Sequence, residues 1–235
     1  MEDNVDKAID CLKRGSFVLV YDFDDRERET DMVIASQNVT PEAIRTMRKE
    51  AGGLICTTAS YEISEKLQLP FLVDVLACNY GSYPMLKKLA PNDIPYDTKS
   101  AFSITINHRK TFTGITDRDR AMTTSEFAKL AKYALNNGSE DARSEFGRNF
   151  RSPGHVHLLN SSQQLLKSRK GHTELCTALI TMSGLTPSAT ICEMMGDDGN
   201  ALGKEKAKEY AKMHDLCFLE GSEIIAAWNG SGKAR

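Results

Sequence analysis

The stretch "SFVLVYDFDDRERETD", residues 16–31, joins a run of apolar and β-branched residues to a dense cluster of charges. The run has the length and composition of a buried β-strand, so the charges are predicted to lie in the loop that follows it. The last eight residues contain five carboxylates and two arginines. Such a cluster is either a solvated loop or a site that holds a cation and an anion.

Predicted helices and strands alternate around this first strand. A helix is predicted over residues 5–12, and another over 40–50, where Thr40 is a favourable N-cap and Pro41 suits the first turn. Further helices are predicted over 123–138, 172–184, 204–215 and 223–228. Strands are predicted at "LICTTA" (54–59), "AFSITINHR" (101–109), "HVHLL" (155–159), "ATICEMM" (189–195) and "LCFLE" (216–220).

This order predicts an α+β fold, with a mixed β-sheet flanked by helices and a single domain over residues 1–235. Extended strands such as 101–109 look linked by hairpins rather than by crossover helices. The proline-containing segment 77–99 is predicted to be an ordered loop, and the polar segment 137–150 a mobile one.

The bulk composition excludes several classes of protein. Thirty basic residues against 32 acidic ones give a formal charge of −2, which does not favour nucleic acid or an anionic membrane as a partner. Apolar runs fall far short of the roughly 20 residues that span a bilayer, and the acidic start does not resemble a signal peptide. Six cysteines without a CxxC pair indicate reduced thiols in the cytoplasm.

Two segments contain histidines that could belong to a functional site. In "RSPGHVHLL" (151–159), Pro153 and Gly154 predict a turn before a strand, and His155 and His157 would share one face of that strand. In "SRKGHTELC" (168–176), a basic pair and a glycine precede a helix whose free N–H groups could bind phosphate. The alternatives are a structural or exposed His157, and an ordinary helix start capped by Ser168 or Thr173.

Glu193 lies within the otherwise apolar predicted strand 189–195. A buried carboxylate must be paired, bound or protonated, because an unpaired buried charge is costly. The alternative to a functional role is a salt bridge, for example with an arginine. The following turn "GDDGN" (196–200) resembles a cation loop but lacks EF-hand spacing, and no second pair accompanies His172 and Cys176 to form a structural zinc site.

Taken together, these segments resemble the 3,4-dihydroxy-2-butanone 4-phosphate synthase family of riboflavin biosynthesis, in its single-domain archaeal or fungal-like form. The resemblance covers nearly the whole chain. The motifs that carry it are "RERETD" (26–31), "GGLICT" (52–57), "FSITINHRKTFTGITDRDRAMT" (102–123), "RSPGHVHLL" (151–159), "RKGHTE" (169–174) and "ICEMMGDDG" (191–199).

The resemblance implies that ribulose 5-phosphate is converted to L-3,4-dihydroxy-2-butanone 4-phosphate and formate with Mg²⁺ or Mn²⁺. It implies Glu27 and His172 as metal ligands, and His155 and Glu193 as proton carriers. Glu29 and Asp31 are implied to be catalytic as well. The implied substrate contacts are Arg26, Glu27, Asp31, Cys56, Thr113, Arg169, Lys170, Gly171, His172, Thr173 and Glu193. A homodimer with shared active sites is also implied.

Under this interpretation the charged stretch is a cation and sugar site. Glu27, Glu29 and Asp31 would lie on one side of the chain if the segment is extended, while Asp24 and Asp25 are expected to be solvated. Arg28 stands where the family is expected to have glycine or asparagine, and a bulky side chain resists positive φ. Rival interpretations are a metal-dependent phosphosugar hydrolase or isomerase, and a non-catalytic phosphosugar-binding protein.

Overall fold

The computed structural model describes residues 2–97 and 99–232, so residues 1, 98 and 233–235, which include part of the predicted loop 77–99, lie outside the description. Seven strands form one mixed sheet in the order β4-β5-β3-β6-β2-β1-β7. The strands are β1 (Val18–Tyr21), β2 (Thr30–Ala35), β3 (Cys56–Ala59), β4 (Phe102–His108), β5 (Phe150–Asn160), β6 (Ala189–Glu193) and β7 (Cys217–Glu220).

Helices flank this sheet, which confirms the predicted fold. They are α1 (Glu2–Lys13), α2 (Pro41–Thr46), α3 (Tyr61–Leu67), α4 (Leu72–Cys78), α5 (Met85–Lys88), α6 (Asp117–Asn136), α7 (Ser139–Asn149), α8 (His172–Met182), α9 (Lys204–Met213) and α10 (Gly221–Gly230). Thr40 caps α2 as predicted, accepting a hydrogen bond from the Ala43 amide, and a π-helical turn at Met47–Ala51 extends the helix. None of the described helices is both long and apolar enough to span a bilayer.

The sheet combines parallel and antiparallel pairs. Strands β1 and β7 are parallel, as are β3 and β5, and the remaining neighbours are antiparallel. The acidic stretch connects β1 to β2, so it closes a hairpin. Strand β2 itself was not predicted, because its first residues, Thr30 and Asp31, belong to the charged cluster.

Four local predictions are wrong. Strands β4 and β5 are antiparallel partners but are joined through α6 and α7 rather than by a hairpin. The segment predicted to be mobile forms α7, because its Ala142 is fully buried and Phe146 packs on Phe150. Segment 77–99 contains α5 and the end of α4. Pro153 and Gly154 lie inside β5, where a Cβ on Gly154 would overlap the Ile106 carbonyl.

Alternation along the strands separates two faces of the sheet. Val33 and Ala35 of β2 pack in the same apolar cluster as residues of α8, whereas Met32 and Ile34 pack on the α2 side. Asp31 continues the row of Val33 and Ala35 at the start of β2, since alternate residues share a face. The fold therefore places Asp31 on the α8 side of the sheet, close to the first turn of that helix.

Candidate active site

The acidic loop is organised by Asp22, the residue that directly follows β1. Its two carboxylate oxygens accept hydrogen bonds from the backbone N–H groups of Glu27, at 2.9 Å, and Glu29, at 3.1 Å. Asp22 is 1% exposed and was not among the predicted site residues. The sequence signal that could have identified Asp22 is its position, directly between the buried strand and the charged cluster.

Arg28, between these two anchored amides, adopts a left-handed conformation with φ of 59°. A non-glycine residue pays for this conformation, and the hydrogen bonds from the neighbouring amides to Asp22 hold it in place. The loop therefore keeps the conformation that glycine or asparagine would favour, despite the bulky residue. Residues 24–27 form a turn rather than an extended strand, so the premise that placed the three carboxylates on one side is wrong.

Glu27, Glu29 and Asp31 nevertheless all line one pocket of about 340 Å³. His172, the first residue of α8, lies among them. Its Nδ1 is 3.2 Å from Glu27 Oε2, and its Nε2 is 3.2 Å from the Glu29 carbonyl oxygen and 3.8 Å from Asp31 Oδ1. One ligand atom each from Asp22, Glu27 and His172 all lie within 4.8 Å of one another, so this group could hold a metal ion.

Charge and burial act together on these groups. Burial alone would lower the pKa of His172, but the carboxylates of Asp31 and Glu27 outweigh it and raise that pKa. Burial raises the pKa of Asp31, and the neighbouring carboxylate of Glu193 raises it further. Asp31 Oδ1 is buried and has no hydrogen-bond partner among the described residues. The pocket thus contains a negative centre that a cation or hydroxyl donors would stabilise.

Glu193 is the cross-strand neighbour of Asp31 in the β2–β6 ladder. Its Oε2 accepts a hydrogen bond from the Leu54 backbone N–H at 2.7 Å, and the side chain is half-buried. Over residues 2–97 and 99–232 no ion pair to Glu193 is formed, so the salt-bridge alternative is not supported. Its second oxygen is available to a ligand in the pocket, which Glu193 lines.

Arg169 lies at the other side of the pocket, in front of α8. Its guanidinium pairs with Asp97 at 2.5 Å and with buried Glu174 at 2.6 Å, and Arg26 also reaches Asp97, at 3.3 Å. These contacts raise the pKa of Arg169 against the opposing effect of burial. Two arginines thus converge on one carboxylate, in a geometry that a phosphate could also satisfy.

The N-cap of α8 is Gly171, and no side chain caps the helix. The alternative of capping by Ser168 or Thr173 is therefore wrong. A Cβ on Gly171 would overlap the Arg169 guanidinium, so glycine here lets the arginine fold over the helix start. Thr173 is buried and lines the pocket, whereas Lys170 is exposed and is not among the described residues that line it.

The structure also brings an unpredicted segment to the pocket, which is lined by residues 94, 96, 97 and 99–101. Asp97 and Tyr96 line it together with Lys99, and the Arg26 guanidinium lies 5.9 Å from the centre of the Tyr96 ring. Nothing in the local sequence identified this segment, because its contacts join residues about 70 positions apart. Cys56 also lines the pocket, and burial raises its pKa, so its thiol stays neutral.

His155 and Thr113 lie in a second group, outside the pocket that the described residues form. His155 is exposed, and its backbone N–H donates to Asn107 Oδ1 at 2.9 Å, while its Nδ1 is 3.1 Å from Asn107 Nδ2. The Asn107 amide also donates to the Thr113 carbonyl at 3.3 Å. His157 is half-buried against the edge of Phe102, consistent with its structural interpretation.

Comparisons with known proteins agree on one family. The model of the 3,4-dihydroxy-2-butanone 4-phosphate synthase family matches residues 6–227. The chain is 52% identical to 3,4-dihydroxy-2-butanone 4-phosphate synthase of Methanothermobacter thermautotrophicus over 95% of both chains. It is 30% identical to the riboflavin biosynthesis protein RibBA of Staphylococcus aureus, over 95% of this chain and 49% of that protein.

Two solved structures have the same fold. The 3,4-dihydroxy-2-butanone 4-phosphate synthase of Candida albicans superposes with a TM-score of 0.71 at 29% identity, covering 95% of this chain and 96% of the other. A 3,4-dihydroxy-2-butanone 4-phosphate synthase in complex with two magnesium ions gives a TM-score of 0.72 at 25% identity, covering 95% of each chain.

Proposed function

Because the chain belongs to the 3,4-dihydroxy-2-butanone 4-phosphate synthase family, we propose that it converts D-ribulose 5-phosphate to L-3,4-dihydroxy-2-butanone 4-phosphate and formate. The observation that carries the proposal is that the Glu27–His172 pair, the half-buried Arg169 in front of α8, and the carboxylates of Asp31 and Glu193 all line one pocket. The enzyme would act in riboflavin biosynthesis in the cytoplasm. It would consist of one catalytic domain, which the family match over residues 6–227 supports.

Glu27 and His172 are the proposed ligands of Mg²⁺ or Mn²⁺. Neighbouring ligands of an octahedral Mg²⁺, each about 2.1 Å from the ion, lie about 3 Å apart, and Glu27 Oε2 and His172 Nδ1 are 3.2 Å apart. Both oxygens of Asp22 accept backbone hydrogen bonds, which favours a role in shaping the loop. When bound, the cation supplies a Lewis acid for the ketone and hydroxyl oxygens of the sugar.

The substrate phosphate is proposed to bind at the start of α8. The free N–H groups of the first turn, the Thr173 hydroxyl and the Arg169 guanidinium offer donors to an anion, and Arg26 adds a second charge. The Asp97 carboxylate lies beside both arginines. A phosphate would compete with the Asp97 carboxylate for them, because both are anions that accept two hydrogen bonds from a guanidinium.

Glu193 and Asp31 are proposed to move protons at the sugar. The reaction removes a proton beside a ketone, expels a hydroxyl and releases a carbon as formate, so it needs at least two proton carriers. Burial raises the pKa of Asp31, which makes this carboxyl a better proton acceptor. Glu29 lines the same pocket, while Cys56 is proposed to contact substrate as a neutral thiol.

We propose that His155 acts in the active site of a partner subunit, in a symmetric homodimer. Two observations support this assignment: His155 is exposed outside its own chain's pocket, and the nearby loop exposes 93% of Phe112 and 50% of Ile115. Apolar side chains exposed to this degree favour burial against another surface. A two-fold axis would place His155 and Thr113 of each subunit at the site of the other.

The test is incubation of the purified protein with ribulose 5-phosphate and Mg²⁺, followed by an assay for formate. One formate is expected for each ribulose 5-phosphate consumed, and Glu27→Gln should abolish its release. Asp25→Asn provides the matched control, because Asp25 lies in the same loop but is exposed to solvent. Folded, magnesium-loaded protein that releases no formate would refute the proposed reaction.

A further inference from the structure

Two cysteines from opposite ends of the sequence lie in contact at the edge of the sheet. Cys11 is in α1 and Cys217 is the first residue of the edge strand β7, and their Sγ atoms are 3.8 Å apart. Both residues are half-buried, and neither lines the pocket of the described residues. The two residues are 206 positions apart in the sequence, so only the folded chain brings their sulfurs together.

The two cysteines of the pair have different neighbours. The Arg14 guanidinium lies 3.4 Å from Cys11 Sγ, and a nearby positive charge stabilises a thiolate. Burial and the contact with Cys11 raise the pKa of Cys217 to about 11. The two sulfurs therefore differ in their surroundings: Cys11 lies beside the Arg14 guanidinium, whereas burial and the contact with Cys11 favour the protonated form of Cys217.

The other four cysteines have different environments. Cys56, Cys176 and Cys192 are buried, and burial raises the pKa of each thiol. Cys78 is exposed on α4. Small oxidants can therefore reach Cys78 and the pair, but only the pair places two thiols within contact distance in the part of the chain that the structure describes.

We propose that Cys11 and Cys217 form a reversible disulfide that fastens α1 to β7 when the protein meets a disulfide oxidant such as oxidised glutathione. The Cys11 thiolate attacks one sulfur of the oxidant and releases one thiol. Cys217 then gives up its proton and attacks Cys11 Sγ, which releases the second thiol. Two cysteine thiols are oxidised while one disulfide of the oxidant is reduced, so electrons and protons balance.

The sulfurs need to approach by about 1.8 Å to reach the bond length of roughly 2.05 Å. We expect rotation about the Cα–Cβ bonds of the two half-buried side chains to supply this movement. The bridge would close nearly the whole chain into one loop, and long loops lose the most unfolded-state entropy when they are closed. We therefore expect oxidation to raise Tm by about 5 °C or more.

The experiment uses the full chain with Cys78→Ser, which removes the exposed thiol. After treatment with oxidised glutathione, the protein should lose the mass of two hydrogen atoms. Alkylation of the denatured protein should then modify three thiols, where the reduced protein offers five. Trypsin should then release a linked pair of peptides, residues 8–13 and 213–233, that dithiothreitol separates. The oxidised protein should also show the rise in Tm.

Cys11→Ser and Cys217→Ser, each in the same background, are the matched controls, and both should lose the linked peptides and the rise in Tm. An unchanged mass, glutathione adducts that never resolve, or a bridge to another cysteine would overturn the proposal. A bridge that forms between residues 11 and 217 without raising Tm would overturn the claim that it fastens α1 to β7.

Discussion

Arg169 Nε lies 2.5 Å from Asp97 Oδ2, so an aspartate contacts the guanidinium that we propose for the substrate phosphate. The same oxygen lies 3.3 Å from Arg26. Asp97 therefore neutralises part of the positive charge in the cradle until an anion replaces it.

Asp97→Asn should strengthen the binding of inorganic phosphate. The amide removes the competing charge, and a partly buried ion pair of this kind is worth about 1 kcal/mol, or roughly a fivefold change in Kd. Calorimetric titration with phosphate measures the change. Asp74→Asn is the control, because Asp74 pairs with Lys99 of the same segment but has no contact with Arg169. Equal or weaker phosphate binding by Asp97→Asn would show that Asp97 does not compete.

Glu193→Gln should lower turnover by about two to four orders of magnitude, the usual weight of a general acid or base. Its fold should be retained, because the amide oxygen can still accept the hydrogen bond from the Leu54 N–H. Steady-state formate release and thermal unfolding together measure the two effects. Asp197→Asn, in the exposed turn beyond β6, is the control. Loss of the fold with normal turnover in the remaining folded protein would indicate a structural glutamate.

Removal of divalent cations should abolish turnover, and added Mg²⁺ should restore it. One carboxylate and one imidazole are too few protein ligands to retain Mg²⁺ tightly, since this ion keeps most of its waters. The measurement is formate release after dialysis against EDTA, with circular dichroism to show that the fold persists. Full activity in EDTA would contradict the assignment of Glu27 and His172 as metal ligands.

Mixing inactive variants tests the shared site. Glu27→Ala and His155→Ala should each be inactive, yet after subunit exchange half of the dimers are mixed and one site in each has both residues intact. About a quarter of all sites should therefore recover. The control mixture is Glu27→Ala with Glu193→Ala. Because both residues are proposed to act in the site of their own subunit, every site of a mixed dimer lacks one of them, and the mixture should stay inactive. Mixed dimers detected by mass spectrometry that remain inactive would exclude sharing through His155.

The sequence predicted the parts of this molecule that depend on local pattern. The apolar run 17–20 marked β1, and the glycine before His172 marked the start of α8, because both signals lie within a few residues. Strand β2 was missed because its first two residues, Thr30 and Asp31, are polar and continue the charged cluster.

Contacts between distant residues could not be predicted. Asp97 meets Arg169 across 72 positions, and the proline-containing segment around it has no periodicity. The Asp22 carboxylate accepts hydrogen bonds from amides within its own loop and so holds Arg28 at positive φ. The sequence raised the question of this conformation at Arg28 but gave no sign of the hydrogen bonds that hold it. His155 lies outside the pocket because of where β5 places it in the sheet, and the sequence near His155 does not specify that position.

Asp31 and Glu193 are cross-strand neighbours in β2 and β6, so the two proposed proton carriers depend on sheet register. A slip of one residue in either strand would turn the carboxylate of that strand to the opposite face. The chain would stay compact with its helices formed, but the proposed proton carriers would be separated. Enzyme activity is therefore a stricter measure of native structure here than helical content. During refolding, formate release should return only after these two central strands have found their alignment, later than the far-ultraviolet signal of the helices.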